Sequence, residues 1–427
     1  MKHFIFLCLI AFANILYAQN KEYYEASIEV NYFKMPLTIE YSLLSNDSLS
    51  LLLGSPSQTE DLLQADKAYI KEDSLLFRLK KFNITCRAKY STNKDSIIGT
   101  FKQGNFKTEI VWLRTNQHFS YNRPQTPVPP FRYIVEDFEF TNPKVKNYTF
   151  KGTLTRPKRG NNFPCVILIS GSGIQDRDCT LLGHKMFMII ADYLTNSGMA
   201  VLRFDDRGYG TNDTALLNAT TLDYVSDVES AIEALKHINY IDPKHIGLLG
   251  HSEGGLIAQI IASKDTSLNF IILMASPGIS GREVLVSQLK ALTKAKGITN
   301  EKEIEAQLVL QKNAIENKKA SKWIKTFVDL NPKNYLPYIT QPTLILQGAK
   351  DLQVTPQENL SAIREYFGRA VNNFSYKVLV FSDNNHLFQR CKTGLPSEYG
   401  EIDLTIDTDV LHYLVTFIRE KNRIKKR

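Results

Sequence analysis

Five cysteines, two tryptophans and no apolar run long enough to cross a bilayer limit what this 427-residue chain can be. Its longest apolar stretch, Phe4 to Leu16, falls short of the roughly 20 residues a spanning helix needs, so no membrane span is expected. Cysteine and histidine never meet at zinc-site spacing, and no residue set implies a metal. G-x-G-x-x-G is missing too: after Gly171 and Gly173 the third position holds Asp176, which removes a dinucleotide cradle and leaves no cofactor expected. The formal charge of +8 arises from 52 basic and 44 acidic residues without a basic stripe. Nucleic-acid recognition is thereby excluded. The exception is the tail Lys421-Asn422-Arg423-Ile424-Lys425-Lys426-Arg427, which reads as a solvated chain end.

Met1-Lys2-His3 is a short basic start, Phe4 to Leu16 is apolar, and Leu16-Tyr17-Ala18 precedes Gln19. This pattern reads as a secretory signal, residues 1–18, cleaved after Ala18. Cys8 lacks small residues before it, so no lipid anchor is expected. A secreted protein follows, periplasmic if the source is Gram-negative. Of the remaining cysteines, Cys86 and Cys165 lie in β-patterned runs and read as buried apolar fillers. Cys179 and Cys391 fall in loops expected at one face, where an oxidising compartment permits a disulfide.

The pattern changes midway. From Tyr23 to Leu113 polar and apolar residues alternate, as in Phe82-Asn83-Ile84-Thr85-Cys86-Arg87-Ala88-Lys89-Tyr90. Such runs predict an antiparallel sandwich or half-barrel over residues 19–122. Four prolines in Asn122–Pro130 then predict a linker over 123–130. Beyond it strands and helices alternate over 131–427, the rhythm of a doubly wound, mostly parallel α/β sheet. Between 279 and 340 no strand signal appears, while Leu285, Leu289 and Leu292 share a helical face, as do Trp323 and Phe327. A helical cap inserted between the sixth and seventh strands is expected there.

The buried run Ile246-Gly247-Leu248-Leu249 leads directly into Gly250-His251-Ser252-Glu253-Gly254-Gly255. Strand, G-x-S-x-G and then an Ala/Ile-rich helix form the pattern of a nucleophile elbow. Gly250 and Gly254 supply room where a Cβ would clash. A serine hydroxyl needs a histidine to take its proton and a carboxylate to orient that histidine. Asp351 follows the apolar run Thr343–Gln347, and His386 follows the β-rich stretch Val371 to Phe381. Both sit where open α/β sheets place their chemistry. Ser252, Asp351 and His386 are therefore the candidate triad. Asp383 reads as a turn residue, His251 as packing, and His184, His237 and His245 have no partner pattern.

The oxyanion hole needs two amides aimed at the developing negative charge. Glu253, next after the nucleophile, supplies one. Ser172 in Ser170-Gly171-Ser172-Gly173 is the candidate for the second, with Gly173 as alternate.

Gly171-Ser172-Gly173-Ile174-Gln175-Asp176-Arg177-Asp178, Leu202-Arg203-Phe204-Asp205-Asp206-Arg207-Gly208-Tyr209-Gly210 and the elbow together resemble a branch of bacterial α/β-hydrolases. That branch holds carboxylesterases and serine aminopeptidase-like relatives. The similarity continues through Asn385-His386-Leu387-Phe388-Gln389, Thr393-Gly394 and Glu398-Tyr399, over roughly residues 131 to 422. Ser55-Pro56-Ser57-Gln58 and Gly99-Thr100-Phe101-Lys102-Gln103 resemble the β-rich N-terminal region of such esterases. The resemblance implies the same triad. Many relatives carry His-Gly where this chain has Ser-Gly.

The expected protein is a serine hydrolase that cleaves small-molecule carboxylic esters of modest acyl size through an acyl-enzyme. A peptidase removing short N-terminal units would need a cap carboxylate for the substrate ammonium, and Glu301, Glu303, Glu305 and Glu316 are available. A third reading makes the β-rich region a binder of an envelope polymer beside a vestigial hydrolase. Asp205-Asp206-Arg207-Gly208 reads as a loop-fixing carboxylate–guanidinium set, as do Asp176, Arg177 and Asp178. No pattern sets an oligomeric state.

Overall fold

A computed structural model describes residues 21–30, 32–45, 47–58, 61–117, 119–369 and 375–422. The proposed signal, the end of the basic tail and the start of the Val371–Phe381 stretch lie outside the described residues. The chain divides into two units. One takes residues to Ile28 with Met35–Ser120, the other Glu29–Lys34 with Tyr121–Arg427.

In the first unit, strict alternation becomes strict sidedness. Along Ile84–Tyr90 the residues Ile84, Cys86 and Ala88 are buried while Thr85, Arg87 and Lys89 are exposed. Period-two side chains put one face of each strand inside. Strands Lys67–Lys71, Ser74–Leu79, Ile84–Tyr90, Ser96–Gln103 and Phe106–Thr115 pair antiparallel in succession. Glu22–Val30 pairs with the last of them, and Phe33–Ser45 pairs with Ser48–Gly54. The sheet thereby closes into an eight-stranded barrel, with the short Leu63–Gln64 strand added outside the circle. Alternation alone predicts a sandwich or half-barrel. Closure arises from the long-range pairing, and it removes the free edges an open sheet would present. Leu75, Phe77, Ile97, Phe101 and Trp112 fill the interior.

Among the described residues the main sheet of the second unit has eight strands, in chain order β1 Ile134–Thr141, β2 Thr149–Arg156, β3 Phe163–Ile169, β4 Ala200–Phe204, β5 Ile241–His251, β6 Phe270–Met274, β7 Thr343–Gly348 and β8 Tyr376–Phe381. They lie in the order β1-β2-β4-β3-β5-β6-β7-β8. β2 runs antiparallel to both neighbours and the other pairs are parallel. β4, β6 and β7 are buried at every position, as central strands covered on both faces must be. Helices α1 Met186–Asn196, α2 Thr221–Lys236, α3 Glu253–Ala262, α4 Gly281–Ala295, α5 Glu301–Glu316, α6 Lys322–Asp329, α7 Pro356–Gly368 and α8 Thr408–Asn422 follow in chain order. α1 and α8 cover one face of the sheet, where Ile190, Leu194, Leu414 and Ile418 pack on Val201 and Ile272. α2, α3 and α7 cover the other, where Val228, Ile232, Leu256, Ile260 and Ile363 pack on Ile167, Leu248 and Ile271. This is the α/β-hydrolase architecture.

α4, α5 and α6 form the helical insertion between β6 and β7. Ser280 caps α4 through a capping box with Glu283, and Asn300 and Ser321 cap the other two. The proline-rich stretch is bound within this second unit. Arg123 donates to the carbonyls of Leu182, Gly400 and Ile402, and Gln125 pairs with the backbone of Thr405 and Ile406.

Candidate active site

β5 ends at His251 and α3 starts at Glu253, which leaves Ser252 alone to turn the chain. Its backbone is forced to φ 56° and ψ −122°, a strained conformation for a residue with a Cβ. The glycines explain how the turn fits. A Cβ on Gly250 would lie 2.1 Å from the Gly254 carbonyl oxygen, and one on Gly254 would lie 2.2 Å from that of Ile169. The Ser252 amide donates to Met274 O at 2.9 Å, tying the turn to β6.

Asp351 follows β7 by three residues and is buried. Its Oδ1 accepts the amides of Gln353 and Val354 at 2.8 and 2.9 Å. Its Oδ2 accepts Gln347 Nε2 at 2.8 Å and His386 Nδ1–H at 2.8 Å. A carboxylate so surrounded has one orientation. His386 sits in the loop after β8, shaped by Asn385 Oδ1, which accepts the Leu387 and Gln389 amides at 2.9 and 3.0 Å. The structure thus brings Asp351 and His386 into contact, and Ser252 and His386 line one cavity.

The other histidines have structural partners. His251 donates from Nε2 to the His386 carbonyl at 2.9 Å, and burial pushes its ring down to about 3, so it stays neutral. It therefore holds the His386 loop, a role that its position beside the serine did not announce. His184 pairs with Thr405 Oγ1 and Tyr399 O, both at 2.8 Å. Asp383 is exposed and pairs with Lys350.

The loop after β3 lies against Ser252: a Cβ on Gly171 would sit 3.1 Å from Ser252 Cβ. Asp206 holds both ends of this loop, accepting Ser170 Oγ at 2.9 Å and the Gln175 amide at 2.9 Å. Arg177 and Asp205 pair beside it, and Arg207 pairs with Asp227, so these charges fix loops. Burial pushes the Asp206 carboxyl up to about 8, against the pull of the Gln175 and Ser170 donors. A raised carboxyl favours the protonated fold. The stability it contributes is complete below the ordinary aspartate value of 3.8 and is lost as pH rises through about 8. The slope in that window is at most about 1.4 kcal/mol per pH unit. Asp206→Asn is therefore expected to flatten the decline in thermal midpoint between pH 5 and 8.5. An unchanged slope in the variant would show that Asp206 is ionised throughout.

Ser252 and His386 open into a cavity of 370 Å³. Val284, Leu285, Trp323 and Phe327 of the helical insertion form much of its apolar wall. Glu301, Glu303, Glu305 and Glu316 are all exposed and none lines this cavity. Cys179 and Cys391 are free thiols. The disulfide the sequence allowed is not formed, because Cys179 is buried facing Gln175 Oε1 while Cys391 Sγ contacts Asp383 O. Among the described residues no cluster of His, Cys, Asp or Glu could hold a metal, and no helix is long and apolar enough to cross a membrane.

Residues 185–402, just over half the chain, match the prolyl oligopeptidase family, and this span contains Ser252, Asp351 and His386. Esterase EstD of Thermotoga maritima is 30% identical over 278 residues, covering 62% of this chain and 65% of the esterase. Dipeptidyl-peptidase 5 of Schizosaccharomyces pombe is 22% identical over 198 residues, covering 45% of this chain and 26% of the peptidase. The chain thus spans less than two thirds of either relative. Among solved structures, an esterase of Pyrococcus furiosus is 17% identical with a TM-score of 0.44, covering 71% of this chain and 99% of that one. By the extent of the family match, the chain belongs to the prolyl oligopeptidase family of serine hydrolases.

Proposed function

We propose that the protein is an exported serine esterase that cleaves carboxylic esters of modest acyl size. The observation that carries this reading is the buried Asp351–His386 pair opening onto the same cavity as the strained Ser252. Ser252 Oγ attacks the ester carbonyl and gives its proton to His386 Nε2. Asp351 holds the ring with Nδ1–H toward itself and stabilises the imidazolium that forms. The amides of Glu253 and Ser172 receive the oxyanion; the first belongs to the opening turn of α3, whose amides have no acceptor within the helix. His386 then protonates the departing alcohol, and water, activated by the same ring, releases the acid.

The cavity's 370 Å³ lies at the small end of ligand sites, which suits short acyl chains. The peptidase reading needs a free carboxylate for a substrate ammonium. Glu253 is the acid in this cavity wall, and Thr221 and Trp323 occupy its oxygens. Export is inferred from the pattern of residues 1–18, and an intact mass beginning at Gln19 in the extracytoplasmic fraction would support it. The deciding comparison is initial rates on p-nitrophenyl acetate through palmitate beside aminoacyl p-nitroanilides. Ester turnover is expected to peak at short chains and exceed anilide turnover by at least about 100-fold. Anilide turnover without ester preference would replace the esterase with the peptidase.

A further inference from the structure

The barrel unit has no task in the proposed reaction, and its outer face gathers positive charges that the sequence disperses. Directly opposed residues on five successive antiparallel strands run Lys67, Arg78, Thr85, Lys102, Lys107. All five are exposed. The neighbouring row on the same face runs Tyr69, Leu76, Arg87, Thr100, Glu109. Ala68, Phe77, Cys86 and Phe101, each between a first-row and a second-row residue, are buried, so the period of two turns both rows outward. Strands about 4.8 Å apart make the first row about 19 Å long. Thr85 is its one uncharged member.

Stability does not explain this pattern. Lys67 lies opposite Arg78 and Lys102 opposite Lys107, and like charges directly opposed destabilise a sheet. Among the described residues none of these four cations, nor Arg87, forms an ion pair, whereas Lys89 on the next row pairs with Asp73 at 2.8 Å. The five cations instead border one depression of 440 Å³, together with Thr85, Thr100 and Tyr69. We infer that this face of the barrel binds an acidic polysaccharide, an extended chain carrying carboxylates along its length. A row of cations about 19 Å long exceeds the reach of a single small anion, so the ligand that matches it carries repeated charge. The guanidinium forks of Arg78 and Arg87 suit carboxylates, and the hydroxyls of Thr85, Thr100 and Tyr69 suit a ligand rich in hydroxyls. Single-stranded nucleic acid is held on a series of stacking rings, and Tyr69 alone is aromatic in the two rows. A depression also fits a chain better than it fits a flat membrane surface. The inference goes beyond the esterase reading and does not depend on Ser252.

The test is fluorescence anisotropy of an end-labelled polygalacturonate titrated with the full chain. Binding is expected, weakening as salt rises, with none to uncharged dextran. Exposed charge pairs contribute up to about 5-fold each. Lys67→Gln/Arg78→Gln/Lys102→Gln/Lys107→Gln is therefore expected to weaken binding at least about 10-fold. Its melting transition should stay unchanged or rise, because the opposed like charges are gone. Lys302→Gln/Lys312→Gln/Lys318→Gln/Lys319→Gln removes the same charge from exposed positions of the helical insertion and is expected to bind within about 2-fold of the parent. If the barrel variant melts early, Arg87→Gln, which lies outside the opposed pairs, decides instead, with an expected loss of about 3-fold. Equal losses in the barrel and insertion variants, or no binding of polygalacturonate by the parent, would overturn the inference. So would binding of a single-stranded oligodeoxynucleotide or of phosphatidylglycerol vesicles as tight as that of polygalacturonate. Ser252→Ala is expected to bind the polymer as the parent does, so failure of the esterase reading and failure of this one are read separately.

Discussion

Ser252→Ala is expected to lower ester turnover by about 10⁴- to 10⁶-fold while the melting transition stays close to that of the parent. Removing one hydroxyl from a half-buried side chain leaves the packing of β5 and α3 unchanged. The oxyanion amides and the cavity survive, so substrate still binds and a small residual rate over water remains. The same substitution keeps a Cβ at φ 56°, so the strain of the turn is retained and any change in activity reports chemistry. Initial rates on p-nitrophenyl acetate, with circular dichroism melts of both proteins, check this. A loss smaller than about 100-fold would mean that another group attacks the ester.

Asp351→Asn should cost about 10⁴-fold in kcat with a small change in KM. An asparagine amide facing His386 Nδ1 stabilises the tautomer with the proton on Nε2, which cannot accept the Ser252 proton. The carboxylate also accepts from Gln347 Nε2 and from the amides of Gln353 and Val354. An amide group there sets one N–H against another donor, which is expected to lower stability by about 1–3 kcal/mol. Steady-state kinetics and denaturant melts of the same preparation separate the two effects. A variant that loses stability but keeps kcat within about 10-fold would show Asp351 to be structural.

The elbow was legible because its requirements are local. Strand, tight turn and helix follow one another in sequence, and the clash distances at Gly250 and Gly254 are the physical reason for that spacing. The Asp351–His386 contact could be anticipated because each residue follows a strand, and parallel strands bring their C-terminal ends to one side of the sheet. The barrel's closure was not legible, since alternation sets which face of a strand is buried and says nothing of its partner. The pairing of Phe33–Ser45 with Ser48–Gly54 completes the circle. Nor did the sequence show what the Glu253 carboxyl does. Its donors come from Thr221 and Trp323, each on a separate element, and no periodicity links such positions. His251 has the same history: adjacency to Ser252 suggests packing, while its bond to the His386 carbonyl depends on a loop 135 residues away.

The central claim is that Ser252 carries the acyl group. Fluorophosphonate labelling of the purified protein, followed by peptide mass mapping, tests it most directly. One adduct per chain is expected, on the peptide containing Ser252, forming in step with the loss of ester turnover and absent from Ser252→Ala. An adduct on another residue, or full ester turnover by a protein labelled at Ser252, would contradict it.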